Sequence, residues 1–88
     1  MDFLDKRIED YSQIFSDREP SLLKEIHDYT LQNVPQPRML SGHLQGRFLS
    51  MISKIKRPKK ILEIGTYTGY SALCMAEGLD EKGELITI

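Results

Sequence analysis

The chain has 88 residues, of which 40% are hydrophobic and 28% charged, and its formal net charge is -1. These values are typical of one globular unit and exclude a disordered, fibrous or membrane-embedded chain. No apolar run approaches the roughly 18 to 20 residues that span a bilayer. The N-terminal segment is charged where a signal peptide would be apolar, so we expect a cytoplasmic protein without a membrane partner.

Two helices are predicted before the first break in the chain. Apolar residues at helical spacing predict an amphipathic helix over residues 2–15. Pro20 fits the first turn of a second helix, which we expect to end before Pro35. The two prolines of VPQPR (34–38) then favour extended backbone.

A third helix is predicted from a plausible N-cap at Ser41 to the residue before Pro58. After it the pattern changes, because Lys60–Ile64 (KILEI) is a nearly continuous apolar run. Such a run is typical of a strand buried on both faces of a parallel sheet. A helix, a turn and a second strand are predicted at Tyr70–Leu79, Asp80–Gly83 and Glu84–Ile88.

This order predicts an α/β fold class, with N-terminal helices (1–58) followed by a strand–helix–strand unit (59–88). Two parallel strands do not make a stable sheet by themselves. We therefore expect these residues to be the N-terminal part of a single longer domain.

Four other residues carry short predictions. Cys74 is the one cysteine, which excludes an internal disulfide, and its apolar neighbours predict a buried core position. Gly46 is unfavourable in a helix and is predicted to allow close packing. His27 and His43 have no neighbours that suggest a base or a ligand, so we expect surface positions.

The segment LEIGTYTGYS (62–71) predicts a strand, a glycine turn and a helix start, an arrangement that can bind an anion. It is not a dinucleotide motif, because Tyr67 and Tyr70 occupy the second and third glycine positions of G-x-G-x-x-G counted from Gly65. It is not a P-loop either, because Ser71 stands where lysine is required.

A ligand with one carboxylate and one ammonium fits this turn, with Ser71 and the helix start for the acid and Glu63 for the amine. That is the amino-acid end of S-adenosylmethionine. A carboxylate in an apolar strand is costly to bury unless a partner compensates it. The alternative is an ion pair of Glu63 with Lys59, Lys60 or a segment outside this sequence.

The motif LEIGTYTGYSAL resembles the first motif of the cation-dependent O-methyltransferases, which include catechol and caffeoyl-CoA O-methyltransferases. LLKEIHDYT, MLSGHLQGRFLSMI and GELITI resemble other segments of the same family. The resemblance implies a Rossmann-like methyltransferase sheet and S-adenosyl-L-methionine as cofactor. The cofactor-binding residues that it implies are Ser41, Glu63, Gly65, Thr66, Tyr67 and Ser71. Ser41 as a mere N-cap and Tyr67 as a mere packing residue remain alternatives.

The same resemblance implies methyl transfer to a hydroxyl of a small catechol-like acceptor, assisted by a divalent, Mg-like cation, in a homo-oligomer. The family's metal ligands have no counterpart in this sequence, so no catalytic or metal residue is assigned, and we expect the chain alone to be inactive.

KIKRPKK (54–60) places five positive charges in seven residues. This run favours, as one alternative, a hydroxyuridine O-methyltransferase acting on transfer RNA; the other alternative is an inert truncated module that only self-associates through its strand edges.

Overall fold

The computed structural model describes residues 4–88 of the chain. In this part it has helices α1 (Lys6–Ile14), α2 (Ser21–Asn33), α3 (Gly42–Lys56) and α4 (Tyr70–Ala76), and strands β1 (Lys60–Glu63) and β2 (Glu84–Thr87). A short 3-10 helix, Pro37–Met39, lies between α2 and α3. The predicted α/β class, helices followed by one strand–helix–strand unit, is confirmed.

Helix α1 lies inside the predicted range 2–15, of which residues 2 and 3 fall outside the described residues. It begins after Asp5, whose carboxylate accepts the backbone N–H of Arg7 at 2.8 Å and so caps the helix. None of its described residues is buried, and Phe15 is 74% exposed. Its apolar side is therefore no part of the core.

The connection between α2 and α3 differs from the extended segment that was predicted. Val34 is extended, but Gln36 has a left-handed backbone with φ 58 and Pro37 opens the 3-10 turn. A proline ring fixes φ near the value that such a turn needs, and it disfavours right-handed helical backbone at the residue before it. The chain therefore reverses at Gln36.

Ser41 was predicted to cap α3, and the prediction of a capping hydrogen bond was wrong. Ser41 occupies the N-cap position, but its backbone is already helical (φ -61, ψ -47) and its side chain makes no capping hydrogen bond. Capping requires extended backbone at this residue, so that the hydroxyl can reach the amides of the first turn. The third helix ends at Lys56, before Pro58, as predicted.

Helices α3 and α4 pack closely because the contact face of α3 carries small residues. Gly46, Ser50 and Ser53 are its buried residues, while Tyr70 and Cys74 are the buried residues of α4. A Cβ atom on Gly46 would lie 2.7 Å from a ring carbon of Tyr70 and 2.8 Å from Sγ of Cys74. The predictions of close packing at Gly46 and of a buried Cys74 are both confirmed.

An ion pair joins the same two helices. The guanidinium of Arg47 donates to both carboxylate oxygens of Glu77, at 3.0 and 2.6 Å, and Ser50 donates to the same carboxylate at 3.0 Å. The Arg47 side chain is only 13% exposed. These donors hold the pKa of Glu77 below its usual value, chiefly through the Arg47 hydrogen bonds.

Strands β1 and β2 are parallel, with Glu63 beside Thr87 at their carboxyl ends. Ile61 and Glu63 are half-buried, whereas Leu62 is 65% and Ile64 83% exposed. Burial of this strand on both faces was therefore a wrong prediction for the described structure. The physical reason is that α4 packs on one side of the pair, and nothing in residues 4–88 covers the other.

The substitution Glu77→Gln tests whether the charge of this carboxylate stabilises the fold. A carboxylate with a depressed folded pKa contributes stability above its unfolded pKa, and this contribution is lost as pH falls through the folded pKa. We expect E77Q to be less stable than wild type by about 1 kcal/mol near neutral pH, the pair being partly exposed. The difference should vanish in acid, measured as urea midpoints.

Glu81→Gln, in the exposed turn before β2, is the matched control and should change little at any pH. A loss of stability in E77Q that stays the same from neutral to acid pH would show that the charge of Glu77 does not stabilise the fold.

Candidate functional site

The carboxyl ends of β1 and β2 hold the glycine turn that follows β1. The backbone N–H groups of Gly65 and Thr66 donate to the carbonyl of Ile88 at 2.7 and 3.1 Å. Gly65 has φ 102 and Gly69, at the N-cap of α4, has φ 87. Both values lie in the left-handed region that glycine adopts without steric cost, so these positions require glycine.

The carboxylate of Glu63 accepts hydrogen bonds from two hydroxyl groups. Its Oε2 accepts a hydrogen bond from Ser71 Oγ, and its Oε1 accepts one from Thr87 Oγ1 at 2.7 Å. An ion pair with Lys59, Lys60 or a segment outside this sequence was the competing prediction. Within residues 4–88, Glu63 is bonded to Ser71 and Thr87 and makes no ion pair with either lysine; Lys60 lies on the opposite face of the strand, since side chains alternate along a strand. The structure therefore joins Glu63 to Ser71 directly, two of the predicted cofactor residues.

Tyr67 ties the glycine turn to the segment that precedes α3. Its hydroxyl lies 2.8 Å from the carbonyl oxygen of Pro35 and 3.0 Å from that of Gln36. The hydroxyl of Thr30, in α2, lies 3.1 Å from Thr68 Oγ1 and makes a second link to the turn. The turn is thus held from α2 and from the α2–α3 connection as well as from the strands.

A pocket of about 40 Å³ opens between the glycine turn and the start of α3. The residues that line it are Met39, Leu40, Ser41, Gly65, Thr66, Tyr67, Thr68, Tyr70 and Ser71. Five of the six predicted cofactor residues are among them, and Glu63, the sixth, bonds to Ser71. The pocket has room for a few water-sized groups, which suits a small charged group. A larger groove of about 700 Å³, between α1, α2 and α3, adjoins it at Leu40 and Ser41.

A buried cluster beside the pocket was not predicted. Glu19, whose side chain is 11% exposed, accepts a hydrogen bond from the hydroxyl of Tyr70 and lies 3.1 Å from Nδ1 of His27. Burial, and then the bond to Glu19, raises the pKa of Tyr70. No local signal joins residues 51 positions apart, so the sequence could not show this contact.

Neither histidine is buried, but both make contacts that were not predicted. His27 is 29% exposed and packs edge-on against Tyr70, and Nε2 of His43 lies 2.5 Å from the carbonyl oxygen of Asp17.

Burial also raises the pKa of the Cys74 thiol, which keeps it protonated as expected of a core residue.

Within residues 4–88, no group of three or more His, Cys, Asp or Glu side chains is placed to hold a metal ion. None of the helices in this part of the chain is both long and apolar enough to cross a membrane.

The sequence is similar to those of known proteins. A family model described as O-methyltransferase matches residues 12–88. Caffeoyl-CoA O-methyltransferase 1 of Zea mays is 39% identical over 71 residues, which are 81% of this chain and 27% of the maize protein. The Arabidopsis thaliana protein of the same name is 38% identical over the same share of this chain.

The chain belongs to the cation-dependent S-adenosylmethionine O-methyltransferase family, of which it matches the N-terminal part.

Solved structures of O-methyltransferases and a related methyltransferase agree. The methyltransferase PaMTH1 of Podospora anserina, bound to S-adenosylhomocysteine, superimposes with a TM-score of 0.85 at 35% identity, covering 93% of this chain and 36% of that one. An O-methyltransferase of Bacillus cereus, also with S-adenosylhomocysteine, gives 0.77 at 30% identity, covering 92% and 36%. The chain thus spans about a third of these structures, and the predicted Rossmann-like methyltransferase fold is confirmed for this part.

The substitution Tyr67→Phe tests the link between the glycine turn and the α2–α3 connection. It removes a hydroxyl that two carbonyls share, a loss of about 1 kcal/mol of net hydrogen bonding. We expect faster hydrogen exchange, about fivefold, at the amides of Met39 and Leu40 in the 3-10 turn. Tyr29→Phe, on the exposed side of α2, is the matched control. Unchanged exchange in Y67F would show that the hydroxyl of Tyr67 does not hold the α2–α3 connection in place.

Proposed function

We propose that this chain supplies the methionine end of the S-adenosylmethionine site of an O-methyltransferase. The observation that carries the proposal is the pocket between the glycine turn and α3, with the hydroxyl of Ser71 linking it to the carboxylate of Glu63. Residues 1–88 would then be the N-terminal part of one methyltransferase domain, helical over 1–58 and strand–helix–strand over 59–88.

The donor set fits a zwitterionic amino-acid group. Glu63 offers a negative charge for the ammonium, while Ser71 offers a hydroxyl proton for the carboxylate. Gly65 presents backbone without a side chain, and Ser41, Thr66 and Tyr67 surround the same space. We assign all six residues to cofactor binding on these grounds.

The two ends of the ligand are coupled through Ser71. A hydroxyl has one proton, and in the structure Ser71 gives it to Glu63. A bound carboxylate would compete for that proton, and a bound ammonium would replace it on Glu63. Binding of either charged group therefore favours binding of the other.

S-adenosylmethionine, when bound, would supply a sulfonium methyl group for in-line transfer: the acceptor oxygen would form a bond to the methyl carbon as the methyl–sulfur bond breaks, S-adenosylhomocysteine would be the leaving group, and the hydroxyl proton would pass to solvent. The residues of this chain would orient the donor by fixing its amino-acid end, which is a positioning contribution to the rate. The described residues offer no fitting set of ligands for a divalent cation.

For the acceptor we propose the hydroxyl of a small catechol-like molecule, because the sequence relatives are caffeoyl-CoA O-methyltransferases. The basic run 54–60 favours transfer RNA as a second candidate, since Lys56, Arg57, Lys59 and Lys60 are exposed whereas Lys54 lies 3.7 Å from Glu77. We further propose a cytoplasmic homo-oligomer. An inert module that only self-associates is the competing proposal.

The substitution Glu63→Gln tests the assignment. It keeps the size of the side chain but removes the charge proposed to bind the ammonium, so we expect the Kd for S-adenosylhomocysteine to rise about tenfold or more. Titration calorimetry on the full chain measures it. Glu84→Gln, at an exposed position near the amino end of β2, is the matched control and should bind like wild type.

Equal affinity of E63Q and wild type would remove Glu63 from the site. Absence of binding by the wild-type chain at millimolar ligand would contradict the proposed function and favour the inert module.

A further inference from the structure

The position of Thr87 is fixed relative to Glu63 by backbone pairing. The two residues are neighbours in the parallel pair of β1 and β2, and both are half-buried on the same face. The N–H of Ile88 donates to the carbonyl of Glu63 at 3.0 Å, and the carbonyl of Ile88 accepts the N–H groups of the glycine turn. The end of β2 thus braces both the strand end that carries Glu63 and the turn that follows it.

The hydroxyl of Thr87 connects two of the predicted cofactor residues. It lies 2.7 Å from Oε1 of Glu63 and 2.6 Å from Oγ1 of Thr66. An ionised carboxylate can only accept, so the single proton of Thr87 goes to Glu63. Thr66 must then donate to Thr87. The direction of the chain of hydrogen bonds is therefore fixed, from Thr66 through Thr87 to Glu63.

These hydrogen bonds hold the carboxylate of Glu63 in one orientation. Thr87 holds Oε1 from β2, and Ser71 holds Oε2 from the first turn of α4. When a bound ligand draws the proton of Ser71 away from Oε2, the bond from Thr87 still restrains the carboxylate, which leaves the lone pairs of Oε2 for the ligand. Thr87 is not among the residues that line the pocket. Its effect on a ligand must pass through Glu63 and Thr66.

We propose that Thr87 is a positioning residue for the ammonium of S-adenosylmethionine, acting by orienting the carboxylate of Glu63 and the hydroxyl of Thr66. The inference rests on the proposed function, since it requires Glu63 to meet the ammonium. It adds a residue from β2 that neither the motif after β1 nor the pocket lining identifies.

The test compares Thr87→Val with Thr87→Ser. Valine keeps the shape and strand preference of threonine but has no hydroxyl, while serine keeps the hydroxyl. Each full-length variant and the wild type are titrated with S-adenosylhomocysteine and with its desamino analogue, which lacks only the ammonium. Thermal unfolding of the same samples checks that both variants fold.

We expect the wild type and T87S to prefer S-adenosylhomocysteine over the analogue, and T87V to lose about tenfold of that preference. A purely structural role would lower the affinity of T87V for both ligands equally. Full preference in a folded T87V, or its loss in T87S as well as T87V, would overturn the role of Thr87 alone. No preference in the wild type would overturn the assignment of Glu63, and this inference with it.

Discussion

A carboxylate that is half-buried at the end of a strand requires hydrogen-bond donors. Glu63 is such a carboxylate, and the rest of the site supplies its donors. The donors come from two directions, Ser71 at the start of α4 and Thr87 at the end of β2. Both are neutral hydroxyls, so the negative charge is solvated without being neutralised. A cationic ligand can therefore still be attracted to it. A lysine partner would have stabilised the strand equally well and would have removed that attraction.

The small residues of α3 bring the rest of the site into place. Because Gly46 allows Tyr70 and Cys74 to approach the axis of α3, the first turn of α4 lies beside the start of α3. This brings Ser41 and Ser71 to opposite sides of one pocket. The hydroxyl of Tyr67 then holds the intervening 3-10 turn against the glycine turn. The packing of α3 against α4 and the geometry of the pocket therefore both depend on the contact of Gly46 with Tyr70 and Cys74.

The sequence predicted the parts of the site that local physics determines. Gly65 and Gly69 indicated a turn after β1, which the structure forms with left-handed backbone at both positions. The isolated Glu63 in an apolar strand indicated that this carboxylate needs a partner. Helix ends before Pro35 and Pro58 also followed, because proline constrains the residue that precedes it. The prediction of a cap at Ser41 was wrong because the backbone of Ser41 is already helical, and a serine before a helical pattern does not show the backbone angles that it will adopt.

Contacts between distant segments could not be predicted in this way. The bond between Tyr70 and Glu19 and the hydroxyl chain through Thr87 arise from tertiary packing, and single residues give no sign of them. The alternation of burial in β1 was also missed, since a continuous apolar run indicates a strand without showing which faces are covered. Apolar spacing likewise identified α3 but not its contact face, which is formed by glycine and serine.

The most direct test of the central claim is a map of the backbone amide shifts that S-adenosylhomocysteine induces in the ¹⁵N-labelled full chain. We expect the shifts to fall on Glu63 to Ser71 and, through the same pocket, on Met39 to Ser41. Shifts in the larger groove between α1, α2 and α3 with none on Glu63 to Ser71, or no shifts at millimolar ligand, would show that the ligand does not bind at the glycine turn.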